Sequence, residues 1–170
     1  KLQNERFVQL IPRHGMRVVP LTIQELREVY EVLTSLELTA IERLARAELD
    51  EAALAAIEKP VHEMDLAVRK KDVDAWAKAD ERFHRTLVTL CGNRRLAAMV
   101  EMLWEQGHRA RMTTVRLRAS LDQSNREHRA VLDAIRQGDW RQARARHARH
   151  RARAMTEILN LLQLTRLGRF

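Results

Sequence analysis

From Thr22 onward the apolar residues of this chain recur every three or four positions, and little interrupts them. The sequence holds 5 glycines and 3 prolines in 170 residues, so few places can turn sharply or end a helix. Such a chain buries its apolar stripes by laying helices side by side. The period predicts an all-α fold, an antiparallel six-helix bundle. The first helix covers 22–48, with Leu26, Val29, Leu33, Leu36, Ala40 and Leu44 inward and Thr22 paired with Glu25 in a capping box. The second starts near Asp50 and carries Pro60, which is expected to kink or break it. The third covers 73–91 and stops at "CGN"; the fourth covers 94–117, with Leu96, Val100, Leu103 and Ala110 inward. The fifth covers 121–137, and "QGDW" turns tightly into a sixth that ends near Arg166.

Residues 1–20 read differently. Two short β-prone runs, at 7–11 and 16–19, flank "PRHG", which is a hairpin signal. A hairpin alone is marginal in water. It is expected to belong to a unit that lies mostly outside this chain, with residues 21–170 forming a second domain. The start, "KLQNERF", is not a signal peptide and lacks an initiating Met, so a fragment is expected. No apolar run approaches the roughly 18 residues of a transmembrane helix. The single cysteine, Cys91, permits no internal disulfide and suits a reducing cytosol as a small buried residue.

The third helix contains an oddity. With Asp80 set to zero and about 100° per residue, Leu87 falls near −20°, Trp76 near −40°, Phe83 near −60° and His84 near +40°. Asp80 is therefore central in an apolar stripe, and His84 is beside it. An ionised carboxylate buried alone is very costly, so Asp80 needs His84, an arginine from another helix, or a metal. The fifth helix repeats the oddity. Around His128, Ile135, Leu121, Leu132 and Val131 all lie within about 60°. Across the turn at Gly138, His128 and His150 come level at roughly 15–18 Å from the turn on antiparallel neighbours. His147 lies nearer the turn and closer to the apolar arc of Met155, Ile158 and Leu162, so geometry alone leaves His147 and His150 as alternatives. One carboxylate and three imidazoles suit a divalent Zn, Ni, Mn or Fe ion with positions left open for a ligand.

The net charge is +8, from 31 Lys plus Arg against 23 Asp plus Glu. It permits an anionic partner without identifying one. The run "RQARARHARHRAR" at 141–153 scatters its arginines around the helix, which reads as solvated charges and ion pairs rather than a nucleic-acid face. His14 and His62 read as surface residues, and Trp76, Trp104 and Trp140 as core or interface anchors.

Asp-x-x-x-His at 80 and 84, "CGN" at 91–93, "EHRAVLDAIRQGD" at 127–139 and a histidine at 150 together resemble the FCD domain. This is the effector-binding domain of the FadR subfamily of GntR-type bacterial transcription regulators, and the helix count is closest to its VanR-like group. The resemblance covers about residues 21–165. It implies a divalent metal held by Asp80, His84, His128 and His150, because the family places its last ligand 22 residues after the "EH" histidine. It further implies a small carboxylate effector, a homodimer, and operator DNA bound by the full-length protein. "KLQNERFVQLIPRHG" resembles the end of a recognition helix and its wing, and "GMRVVPLT" the last strand of a winged helix-turn-helix. The helices that read DNA are expected before residue 1. Many members carry an arginine four residues before the first-helix glutamate, Glu37; here that residue is Leu33. Arg109 and Arg111 are expected to supply the positive charge instead, with His108 lining the pocket.

Two other functions compete. A helical metalloenzyme would use the Asp/His site to activate water. Its obvious base is Glu127, which points about 100° away from His128. Direct nucleic-acid binding by these residues is disfavoured by the scattered arginines. The favoured expectation is a cytoplasmic, non-enzymatic ligand sensor.

Overall fold

The computed structural model describes residues 8–11, 15–18, 21–118 and 121–165. Six helices follow one another: α1 (Ile23–Arg46), α2 (Glu51–Arg69), α3 (Val73–Leu90), α4 (Arg94–Val115), α5 (Asp122–Arg136) and α6 (Trp140–Leu164). Ahead of them, β1 (Val8–Ile11) and β2 (Gly15–Val18) pair antiparallel, with Val8 opposite Val18 and Ile11 opposite Gly15. The turn expected at 12–14, with His14, lies outside the described residues.

Local chemistry sets the helix starts. The Thr22 hydroxyl accepts from the Glu25 amide, and the Glu25 carboxylate accepts from the Thr22 amide. This satisfies two amides that the first turn would leave orphaned. The side chains of Asp50, Asp72, Asn93 and Asp139 cap α2, α3, α4 and α6 by accepting from first-turn amides. Pro60 departs from expectation: α2 runs unbroken through it, and Pro60 is itself buried. Proline removes one intrahelical bond. Ile57 and Val61 on either side are fully or nearly fully buried, and their packing holds the helix across that gap.

The bundle packs α1 against α6, α4, α3 and α5, while α2 lies on α3 and α5. Its apolar interior is divided into three clusters. One joins α2, α3 and α5 around Ile57, Met64, Trp76 and Phe83. A second joins α1 and α4 around Leu33, Val100 and Trp104. The third joins α1 and α6 around Leu26, Tyr30, Ile158 and Leu162. Leu36 and Leu103, expected inside, are only partly buried; Glu37 and Trp104, each one position further on, are buried instead. The Trp76 indole donates to Asn125 Oδ1 at 2.7 Å, and Asn125 Nδ2 donates to Asp65 Oδ1 at 2.9 Å. That chain ties α3, α5 and α2 together. Trp140 is half-buried under the Arg46 guanidinium, 3.9 Å from its ring.

The α5–α6 turn fixes the register that matters most. Gly138 has φ +67°, its amide donates to Ile135 O, and the Asp139 amide donates to Ala134 O. A non-glycine residue in that left-handed conformation costs about 1–2 kcal/mol. A Cβ at Gly138 would meet nothing nearer than Ala45 O at 3.9 Å, so the cost is conformational and not steric. Gly138→Ala is therefore expected to lower stability by about 1–2 kcal/mol, read as a lower urea midpoint with unchanged slope.

Candidate metal centre

Three helices bring the ligand atoms of His84, His128 and His150 within 4.8 Å of one another, with Asp80 at the side of His84 and His128. Asp80 and His84 stand one turn apart on α3, His128 is central on the inner face of α5, and His150 faces it from α6. His128 Nε2 and His150 Nε2 lie 3.0 Å apart. Asp80 Oδ1 lies 3.4 Å from His128 Nε2 and 3.9 Å from His84 Nε2. Two atoms that ligate one ion at about 2.1 Å are separated by about 3.0 Å at a right angle and about 4.2 Å when opposite. All three separations fall in that range. His84, His128 and His150 are all buried.

The electrostatics suit ligation. Burial, with Arg151 and neighbouring rings, pushes the His84 imidazole well below its ordinary pKa. Burial and the other imidazoles do the same to His128, and burial with His147 and Arg151 to His150. All three are therefore neutral at pH 7, the form that binds metal. Burial pushes the Asp80 carboxyl up to about 6, against the pull of Arg118, Arg111 and Arg151. Among the described residues the Nδ1 atoms of His84 and His128 have no hydrogen-bond partner. A neutral ring whose proton sits on Nδ1 presents its Nε2 lone pair to a cation.

His150 is held from behind. Its Nδ1 lies 2.7 Å from Glu127 Oε2. Arg153 Nε and Nη2 donate to the two Glu127 oxygens at 2.7 and 2.6 Å, and Nη2 also donates to Ser124 Oγ at 2.8 Å. A carboxylate on the far nitrogen fixes the ring and raises its basicity as a ligand. Glu127, weighed above as a base, is thus engaged in orienting a histidine.

His147 is equally buried but faces elsewhere. Its Nε2 lies 3.1 Å from Glu37 Oε2. The Trp104 indole donates to Glu37 Oε1 at 2.9 Å, and Arg151 Nε lies 2.8 Å from Oε2. Burial would raise the Glu37 carboxyl; Arg151, His147 and Trp104 overcome it and hold it below its usual range. Glu37, His84 and His147 bring three donor atoms within 4.8 Å of one another. A second dication there would meet the Arg151 guanidinium already paired with Glu37, so this group reads as a neutralised ion pair. The two polar groups sit where the three apolar clusters meet. Phe83 contacts the His128 ring, Trp104 the His84 ring, and Tyr30 the Arg151 guanidinium.

A shallow opening leads to Asp80, lined by Trp76, Met112, Val115, Arg111 and Arg118. Arg111 stacks on Trp104 at 4.1 Å and donates to its carbonyl at 3.3 Å. Arg109 and His108 are elsewhere: both are exposed, and His108 turns toward Glu81 at 3.9 Å. The inward positions of α4 are Trp104, Gly107, Ala110 and Thr114, and residues 108 and 109 fall outside that stripe. Arg118 and Arg151 escaped the sequence reading. One follows a helix end, and the other is hidden among five other arginines in the 141–153 run.

The sequence matches the FCD domain family over residues 28–153. It is 36% identical over 90 residues to an uncharacterised HTH-type transcriptional regulator of Agrobacterium vitis, covering 52% of this chain and 53% of that one. It is 34% identical over 87 residues to the gluconate operon transcriptional repressor of Bacillus licheniformis, covering 51% and 35%. The chain spans between 35% and 60% of the length of the curated regulators it matches. In fold it resembles E. coli McbR/YncC, with TM-score 0.84 at 19% identity over 92% of this chain and 79% of that one. It also resembles the Zn2+-bound FCD domain of TM0439, with TM-score 0.64 at 21% identity over 84% and 96%.

The buried imidazoles fix a pH dependence for metal-free protein. Their pKa values are lower folded than unfolded, so the unfolded chain binds more protons once pH falls below about 6.5. Stability is full above that pH and is lost below it. Asp80, raised to about 6, acts in the opposite sense as pH falls through 6, but it is one group against three. The melting temperature of chelated protein is expected to fall from pH 7.5 to 5.5.

Proposed function

The chain belongs to the FCD domain family, and on that premise we propose that it is the ligand-sensing and dimerising domain of a bacterial transcription regulator. The observation that carries this reading is the convergence of His84, His128 and His150, whose ligand atoms lie within 4.8 Å of one another, with Asp80 Oδ1 beside two of them, 3.9 Å from His84 Nε2 and 3.4 Å from His128 Nε2. These four residues would hold a divalent Zn, Ni, Mn or Fe ion. A bound ion supplies positive charge with open positions for an anionic oxygen. The protein's own part is to bring such an anion in and hold it. Arg111 and Arg118 line the opening beside Asp80 and attract a carboxylate. Arg109 and His108, being exposed, have no part in that step. Glu127 and Arg153 keep His150 in place.

The ligand in this reading is a small carboxylate, of the di- or tricarboxylate or sugar-acid class. Its binding biases the relative positions of two DNA-binding domains, which requires different affinity in the two states. β1 and β2 are then the wing of a winged helix-turn-helix, residues 1–20 its end, and 21–170 the sensing domain. Operator DNA is bound by the full-length protein as a homodimer. Val32 on α1 and Met99 and Met102 on α4 are large apolar residues left exposed, the kind of surface a second copy covers. No described helix is long and apolar enough to cross a membrane. The metalloenzyme reading loses its base, since Glu127 is committed to His150 and Arg153.

Two measurements test this. Protein purified without a nickel column is expected to carry about one divalent ion per chain by elemental analysis, and His128→Ala to lose most of it. A full complement in that variant would remove His128 from the site. A thermal-shift panel of acetate, succinate, citrate and D-gluconate is expected to raise the melting temperature of metal-loaded protein with concentration. The shift is expected to vanish after chelation. Stabilisation by uncharged analogues alone, equal in both forms, would sink the carboxylate reading.

A further inference from the structure

Next to the histidine cage the core holds two donors that nothing among the described residues accepts from. Tyr30 is 1% exposed and Arg151 is 3% exposed. The Tyr30 hydroxyl and Arg151 Nη2 have no hydrogen-bond partner among the described residues. They are neighbours: the Arg151 guanidinium carbon is 5.2 Å from the centre of the Tyr30 ring.

Glu37 does not explain them. Its Oε1 takes the Trp104 indole, and its Oε2 already faces His147 and Arg151 Nε. Arg151 Nη2 and the phenol are left over. A guanidinium N–H and a phenol O–H are both donors suited to a carboxylate oxygen, the guanidinium bond being charge-assisted. Unmet buried donors are costly, so such a group is kept where an acceptor arrives.

We propose that Arg151 and Tyr30 form a buried oxyanion-binding edge, and that the acid bound at the metal carries a second carboxylate that this edge receives. The inference rests on reading the histidine cage as an anion-binding metal centre, and it narrows the ligand class to dicarboxylates and their substituted relatives. Arg151 departs from His150 by a single residue on α6, so the two anchors are fixed to one helix. A ligand spanning them bridges α6 to α1, where Tyr30 sits. The bland alternative is an ordered water on the two donors.

The probes are succinate and butyrate, four-carbon acids that differ in the second carboxylate. Tyr30 is the single tyrosine of the sequence, so 3-fluorotyrosine labelling gives one 19F resonance that reports on this hydroxyl's surroundings. In metal-loaded protein, calorimetry is expected to show succinate binding at least about tenfold tighter than butyrate, a difference of the order one charged hydrogen-bonded group supplies. Succinate, and not butyrate, is expected to move the 19F line. Tyr30→Phe and Arg151→Lys are expected to shrink the succinate preference severalfold while metal content and butyrate binding stay unchanged. Arg151→Lys keeps a cation beside Glu37, and its melting temperature checks that the fold is intact. An unchanged preference in Tyr30→Phe, or no binding of either acid to fully metallated protein, would overturn the proposal and leave water on these donors. A chain that takes up no metal yet binds succinate through Tyr30 would keep the edge and remove the metal reading.

Discussion

Burying charge among helices is the constraint on which this structure turns. The centre of the bundle holds His84, His128, His147, His150, Glu37 and Arg151, all less than 4% exposed. Each would be ruinous alone in an apolar interior. They are tolerable because they come from four helices and meet one another. Glu37 of α1 is neutralised by Arg151 of α6, and His150 of α6 meets His128 of α5. A shift of one residue in α5 or α6 would turn a buried imidazole by about 100° and leave it unmatched. The apolar clusters give the bundle its cohesion, and the polar centre specifies its register.

Much of this was legible in the sequence, for physical reasons. Long amphipathic stripes, cap residues and a glycine at φ > 0 mark helices by local rules. Asp80 and His128 were conspicuous because each stood in the middle of an apolar arc. Leveling across the Gly138 turn left His147 and His150 open, and the family spacing chose His150. In the folded chain His150 meets His128 while His147 turns to Glu37. What escaped was set by tertiary contact. Arg151 looks like its neighbours in an arginine-rich run until Glu37 arrives from α1. Leu33 stands where the family arginine was expected, and the cation beside Glu37 comes from α6 instead. Pro60 failed as a helix breaker because packing on both sides of it outweighed one missing hydrogen bond.

Several of the arginines are tied to acidic residues of neighbouring elements. Arg82 pairs with Glu63, Arg85 with Glu101 and Glu105, Arg116 with Asp74, Arg129 with Asp65, and Arg136 with Glu58. Each pair joins two different helices, save that Arg116 is the residue just after α4. Exposed pairs contribute little individually, about 0–1 kcal/mol. Their arrangement nonetheless spreads these arginines over several seams of the bundle rather than along one stripe of the kind that tracks a phosphate backbone.

The tight turn after α5 has a consequence in the language of polymer loops. His128 and His150 come together as soon as two consecutive helices pair, a contact closed by a few residues of chain. Asp80 and His84 reach them only after all of α4 has been folded back, a far longer loop. The entropy of closing a flexible loop rises only with the logarithm of its length. A bond that spans the longer loop therefore removes more freedom from the unfolded chain than one that spans the turn. The pairing of α3 with the α5–α6 hairpin is thus the cross-link that counts, and the short helical hairpin is the pre-formed half to which it is made.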